Sequence, residues 1–248
     1  MAFPNIVYGK SGWEKVLTSD QRHKLGTRMS FADGRVFRYC LVGGSEIASG
    51  RIVQSPATVA AHDMDLAWSA GAAAGGTTIT TGTSLTVTKD QYKEGWLYTN
   101  DATGEGQVYP IKSNTAVSGA TGCVFTIDEE DGFVIALTAS SSLFGVSYNQ
   151  YDQVIVQPTT ITNIIAGVSP TTMTADYYGW LQTWGYAAVL MQGVSVVGDQ
   201  VTAAETTAAG AGVLLDSSSA QDNESIGVAA LIPAVSTDFQ LVKLTIDP

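Results

Sequence analysis

Two histidines, His23 and His62, and 23 acidic side chains are the raw material for acid–base or metal chemistry in this 248-residue chain. His62 stands beside Asp63 and close to Asp65, residue types that suit a divalent cation. Alternation along an extended strand turns Asp63 away from the other two, so a solvated polar edge is the expected reading. The run Asp128-Glu129-Glu130-Asp131-Gly132 offers carboxylates to calcium, but its spacing is not that of an EF-hand loop. An acidic β-turn is expected there. A hydrolase needs a base beside its nucleophile, and a glycosidase needs two placed carboxylates. The sequence marks out neither.

Three glycine phrases fail on spacing. Gly9-Lys10-Ser11 has Pro4 where a phosphate loop needs its first glycine. Gly104-Glu105-Gly106 lacks the third glycine and the βαβ setting of a dinucleotide site, and reads as a hairpin tip. Gly43-Gly44-Ser45-Glu46-Ile47 has isoleucine where a nucleophile elbow closes on glycine. The chain is therefore expected to be no enzyme, with no catalytic residue, metal or cofactor. Cys40 and Cys123 have no metal-ligand spacing and are expected as buried free thiols.

The cations are unevenly placed. Eight of the twelve Lys and Arg residues lie in the first 51 positions against four acids, a surplus of four. The other 197 residues carry four cations against 19 acids, a deficit of 15. A basic N-terminal arm is thus expected to dock on something acidic, through Lys10, Trp13, Lys15, Arg22, Lys24, Arg28, Arg35 and Arg38. The net charge of −11 speaks against a body that grips nucleic acid, since such binding neutralises phosphates with Lys and Arg. The arm has no block of consecutive cations, so a protein surface is the expected partner. No apolar run reaches the ~20 residues of a membrane-spanning helix, and the N-terminus lacks a signal-peptide pattern. No membrane partner is expected, and synthesis is expected in the cytoplasm.

The elements that must position these residues are strands. Val36–Val42, Gly95–Thr99, Gln107–Ile111, Cys123–Ile127, Phe133–Leu137, Gly179–Thr183, Ala187–Met191 and Phe239–Ile246 are short and rich in β-branched and aromatic residues. Turn signals separate them, among them Asp33-Gly34 and residues 100–106. A short helical turn is expected over residues 19–26. Nothing sustains a 3.6-residue period over three turns. The expected fold is all-β, with antiparallel sandwich or barrel modules, an extended N-terminal arm and little helix. Three parts are expected: an arm with a first strand at 1–50, a β-rich module at 51–158 and a C-terminal barrel-like module at 165–248.

The densest aromatic cluster runs from Tyr177 to Tyr186, with five aromatics in ten residues. Three readings stand. The cluster is core, since Trp180 and Trp184 share parity. It is a subunit interface through Tyr178, Trp180, Trp184 and Tyr186. Or Trp180 and Trp184 form a sugar-stacking platform.

Several phrases resemble virion structural proteins of tailed bacteriophages. They include Leu25-Gly26-Thr27-Arg28 running into Asp33–Tyr39, Gly95-Trp96-Leu97 leading to Gly104–Ile111, and Tyr178–Gly185. The phrases Val197–Val201, Gly210–Leu215 and Ile226–Leu231 are similar to the small β-barrels of capsid cement, or decoration, proteins. The resemblance implies a non-enzymatic protein on the capsid exterior. It would bind the major capsid protein, cement neighbouring capsomers and assemble as a homotrimer. A carbohydrate-binding module of a tail or fibre is the alternative.

Overall fold

The computed structural model describes residues 6–139, 141–193, 196–204, 209–215, 224–231 and 237–248. By internal contacts the chain divides into two compact units, Met1–Pro56 with Gln150–Pro248, and Ala57–Asn149. The first unit begins with β1 (Ile6–Tyr8), the 3-10 turn Trp13–Lys15, β2 (Arg28–Ser30), β3 (Val36–Leu41) and β4 (Ile52–Gln54). The second holds β5 (Leu66–Ala67), β6 (Thr78–Thr80), β7 (Leu85–Val87), β8 (Trp96–Asp101), β9 (Val108–Asn114), β10 (Val117–Ala120), β11 (Val124–Ile127) and β12 (Leu143–Ser147). The chain then returns to the first unit with β13 (Ile155–Val156), β14 (Ile165–Val168), β15 (Tyr178–Leu190), β16 (Gln200–Ala203), β17 (Gly212–Leu214), β18 (Ser225–Ala229) and β19 (Phe239–Thr245). The described residues are mostly β, as expected, with the one 3-10 turn as their helix.

An 11-stranded sheet in order β1-β2-β3-β15-β19-β18-β16-β17 organises the first unit, with β14 joining β15 to β4 and β4 pairing β13. Its centre is the 13-residue β15. Sequence reading divides this segment into two strands at Trp184–Tyr186, whereas the backbone runs through. Gln182 pairs with Phe37 and Trp184 with Val36, so an extra residue on β15 makes a bulge there. Gly185 sits just beyond it at φ +84°, a backbone that glycine adopts without a Cβ clash. The Gln182 side chain donates to the carbonyls of Trp184 and Tyr186, at 3.1 and 2.8 Å.

The N-terminal residues expected as an extended arm are sheet and packed loop from Ile6 onward. β1 runs parallel to β2, with Val7 opposite Met29, and β2 forms a hairpin with β3 across the Asp33-Gly34 turn. Val7 and Leu25 pack on a cluster of Met29, Phe31, Phe37, Tyr39 and Trp180. Apolar residues at 7, 25, 29 and 31 help hold this stretch on β3 and β15, and full burial of a large apolar side chain is worth roughly 1.5–3 kcal/mol. The helical turn expected over 19–26 does not form. Its backbone is tied to β3 instead: Arg22 N–H donates to Tyr39 Oη and Gly26 N–H to the Tyr39 carbonyl.

The second unit has a six-stranded sheet, β5-β12-β8-β9-β11-β6, and a separate β7–β10 pair. Its core centres on Trp68, which stacks on Phe144 with ring centroids 3.8 Å apart. Tyr92, Leu97, Ile111 and Phe125 surround them. Phe133–Leu137, expected as a strand, is irregular. Phe133 and Leu137 are buried while Val134 and Ile135 between them are exposed. The apolar run thus secures its ends and lays its middle on the surface.

Candidate functional site

The largest concentration of exposed apolar surface in the first unit's N-terminal segment lies within eleven residues. Ile6 is 36% exposed, Tyr8 79%, Trp13 45% and Val16 52%. Lys10 and Lys15, both exposed, are interleaved with them. Of these groups, the aromatic rings are the type enriched in the buried core of protein interfaces, whereas lysine is more common outside it. The segment is held in shape locally. Gly12, at φ +97°, lets the chain turn into Trp13–Lys15. Glu14, nearly buried, accepts the Gly12 N–H at 2.7 Å and closes the turn.

Beside this surface opens an apolar cleft of about 400 Å³, lined by Val7, Trp13, Val16, His23, Tyr39 and Trp180 together with Thr18 and Arg22. Its floor is an aromatic stack. Trp180 meets Tyr39 edge-on at 5.0 Å, and Tyr178 stacks on Tyr39 at 5.8 Å. His23 lies edge-on to Tyr39 at 5.1 Å, and burial lowers its pKa from 6.5, favouring the neutral ring. Thr18 and Arg22 place polar groups at the same cleft.

The cations expected to dock divide into two sets. Lys10, Lys15, Arg22 and Lys24 are exposed. Arg22 approaches Asp20 at 3.9 Å, with both side chains mostly in solvent, a pairing worth little. Arg28, Arg35 and Arg38 are half-buried. Arg35 Nε donates to Asp33 Oδ2 at 2.8 Å, and its guanidinium lies 4.9 Å from the Phe31 ring centroid. Arg38 Nη2 donates to Asp247 Oδ1 at 2.6 Å, and Tyr151 donates to the other oxygen of that carboxylate at 2.7 Å. Arg38 ties β3 to the C-terminal residues, whereas Arg35 closes its own turn. Tyr8 and Val16 escaped the sequence reading because residues 1–28 have weak periodicity, and only the folded turn gathers them.

Of the residues expected at a subunit interface, Tyr178 and Trp184 are half-buried, Trp180 is 6% exposed and Tyr186 is 56% exposed. Trp180 is thus a core side chain that reaches the cleft floor rather than an open stacking platform. The bulge after Gln182 re-aims the residues beyond it, so equal parity does not give Trp184 the setting of Trp180.

In the second unit, His62 is buried and its Nδ1 lies 2.6 Å from Tyr92 Oη. Burial lowers its pKa, with the Asp63 charge opposing. Asp65 accepts from the Asn100 amide at 2.7 Å on the surface. Asp65 is thus engaged with Asn100, while Asp63 is near enough for its charge to act on His62. No three His, Cys, Asp or Glu side chains among the described residues are placed to hold a metal ion. Asp128, Glu129, Glu130 and Asp131 are all exposed. Both cysteines are free and buried.

Compared with protein-family models, curated proteins and solved structures, the chain matches none.

Proposed function

We propose that the protein is a structural virion component that docks on the outer capsid surface and cements neighbouring capsomers. The observation that carries this reading is the segment Ile6–Val16, where exposed Tyr8, Trp13 and Val16 alternate with Lys10 and Lys15 beside an apolar cleft. The aromatic groups would supply buried contact area and the lysines would complement an acidic receptor. The expectation of a docking arm becomes a docking surface, because the same segment is folded onto the sheet. The resemblance of short phrases to capsid decoration proteins supplies the choice of a capsid as receptor. Self-association as a homotrimer belongs to the same proposal.

The test is occupancy of undecorated heads. Deleting residues 1–28 would remove Val7 and Leu25 from the core, so point variants are the better instrument. Trp13→Ala should weaken binding about 30-fold or more if Trp13 is an interface anchor. Lys10→Glu with Lys15→Glu should slow association and reduce its salt dependence. Unchanged occupancy for both variants would overturn the assignment of this surface. A monomeric mass in light scattering at the concentrations used would overturn the trimer.

A further inference from the structure

A second cleft, about 360 Å³ in volume, opens on the other flank of the Trp13–Lys15 turn. Among its lining residues are Glu14, Lys15, Arg35, Gly50, Tyr186 and Phe239. The volume falls within the range of small-molecule sites. The docking surface uses Trp13, Lys15 and Val16, and this cleft shares Lys15 with it, while Glu14 belongs to this cleft alone.

Its walls are two exposed rings on one face of the sheet. Tyr186 is 56% exposed and Phe239 57%. Phe239 is paired with Leu190, four residues along β15 from Tyr186, so the rings are rooted about 13 Å apart along the strand. Ala188 lies between them, exposed and without a side chain beyond Cβ, leaving the slot open. Phe239 is seated rather than loose. A Cβ on Gly50 would fall 2.5 Å from the ring, and Gly50 has φ +68°, so glycine is what lets the ring rest there.

The charges nearly cancel. Glu14 contributes a carboxylate that is only 5% exposed. Arg35 is already matched by Asp33 at 2.8 Å, and Lys15 balances Glu14 in formal charge. A strongly charged ligand gains little from such a lining. A neutral ligand carrying both donors and acceptors, with apolar faces to lay against rings, fits it: carboxylate to accept from hydroxyls, cations to donate to them, aromatic walls for C–H faces. We infer that this cleft binds a neutral oligosaccharide, with Phe239 and Tyr186 as stacking walls and Glu14 as the hydroxyl acceptor. The inference stands independently of capsid docking and replaces the Trp180–Trp184 platform, since Trp180 is buried.

Saturation-transfer NMR on the intact chain with cellotriose, maltotriose and triacetylchitotriose tests it. At least one should receive saturation, and Glu14→Gln and Phe239→Ala should each weaken that ligand about tenfold or more. Glutamine can still accept the Gly12 N–H, and Phe239 is largely exposed, so both variants should keep the wild-type melting curve. Should Phe239→Ala melt early, Tyr186→Ala provides the same reading from the other wall. No saturation of any of the three sugars, or binding unaffected by the variants, would overturn the inference.

Discussion

The second unit keeps most of its large aromatic side chains inside, whereas the first buries one aromatic cluster and also sets several rings at its surface. In residues 57–149, Trp68, Tyr92, Phe125, Phe133 and Phe144 are each no more than 1% exposed and pack on one another. In the first unit, Tyr8, Trp13, Tyr186 and Phe239 are between 45% and 79% exposed. Trp13, Tyr186 and Phe239 line two clefts that share a single turn. Ring content alone therefore says nothing about role. What separates the regions is whether the rings are enclosed by a sheet and its loops or stand at the rim of a concavity. Trp96, half-exposed on β8, shows that the enclosed unit is not free of surface aromatics.

The sharpest way to break this contrast is to empty the enclosed core. Phe144→Ala removes the partner stacked on Trp68 and should destabilise the second unit by about 3–5 kcal/mol, read by denaturant unfolding. Asp247→Ala should come next. It strips Arg38 and Tyr151 of a common acceptor, and a loss of about 1.5–3 kcal/mol is expected in the melting of the first unit. Restoring the length but not the charge with Asp247→Asn should recover part of it.

A smaller effect is expected from acid. Burial disfavours the charged form of His62, so its folded-state pKa lies below 6.5. As pH falls below about 6.5 the unfolded chain binds this proton first. Stability of the second unit should be full above that pH and decline as pH drops toward the lowered folded value. His62→Gln should flatten the slope in that window, and an unchanged slope would remove His62 from the account. Least of all in stability, Trp13→Ala should shift folding by only about 0.5 kcal/mol or less, because Trp13 is 45% exposed and outside the buried clusters. A large stability loss there would mean that the ring supports the fold and would weaken the contrast between the units.

Strand content was legible because pairing segments such as Val36–Leu41 and Val124–Ile127 carry β-branched and aromatic residues between clear turns. β12 was not, since Leu143–Ser147 follows a serine run and contains Gly145. Its glycine is needed: a Cβ there would fall 2.1 Å from the Asp63 carbonyl oxygen, a contact no local pattern reveals. β14 hid in a polar stretch between prolines that suggested a boundary, although Ile165, Ala166 and Val168 are buried. The candidate docking residues were found by charge, which located the segment and could not tell Arg38, anchored on Asp247 more than 200 residues away, from Lys10. The second cleft joins residues 14, 35, 50, 186 and 239, so only the folded sheet brings it together.

Cys40 and Cys123 fall one in each unit, both shut away from solvent. Burial pushes both thiols up, so the reactive thiolate is scarce in the folded protein. The chain thereby carries its own pair of opening reporters. Alkylation of Cys40 clocks the exposure of the first unit and alkylation of Cys123 that of the second. Mass spectrometry of the modified peptides can time the two independently, without a label being introduced.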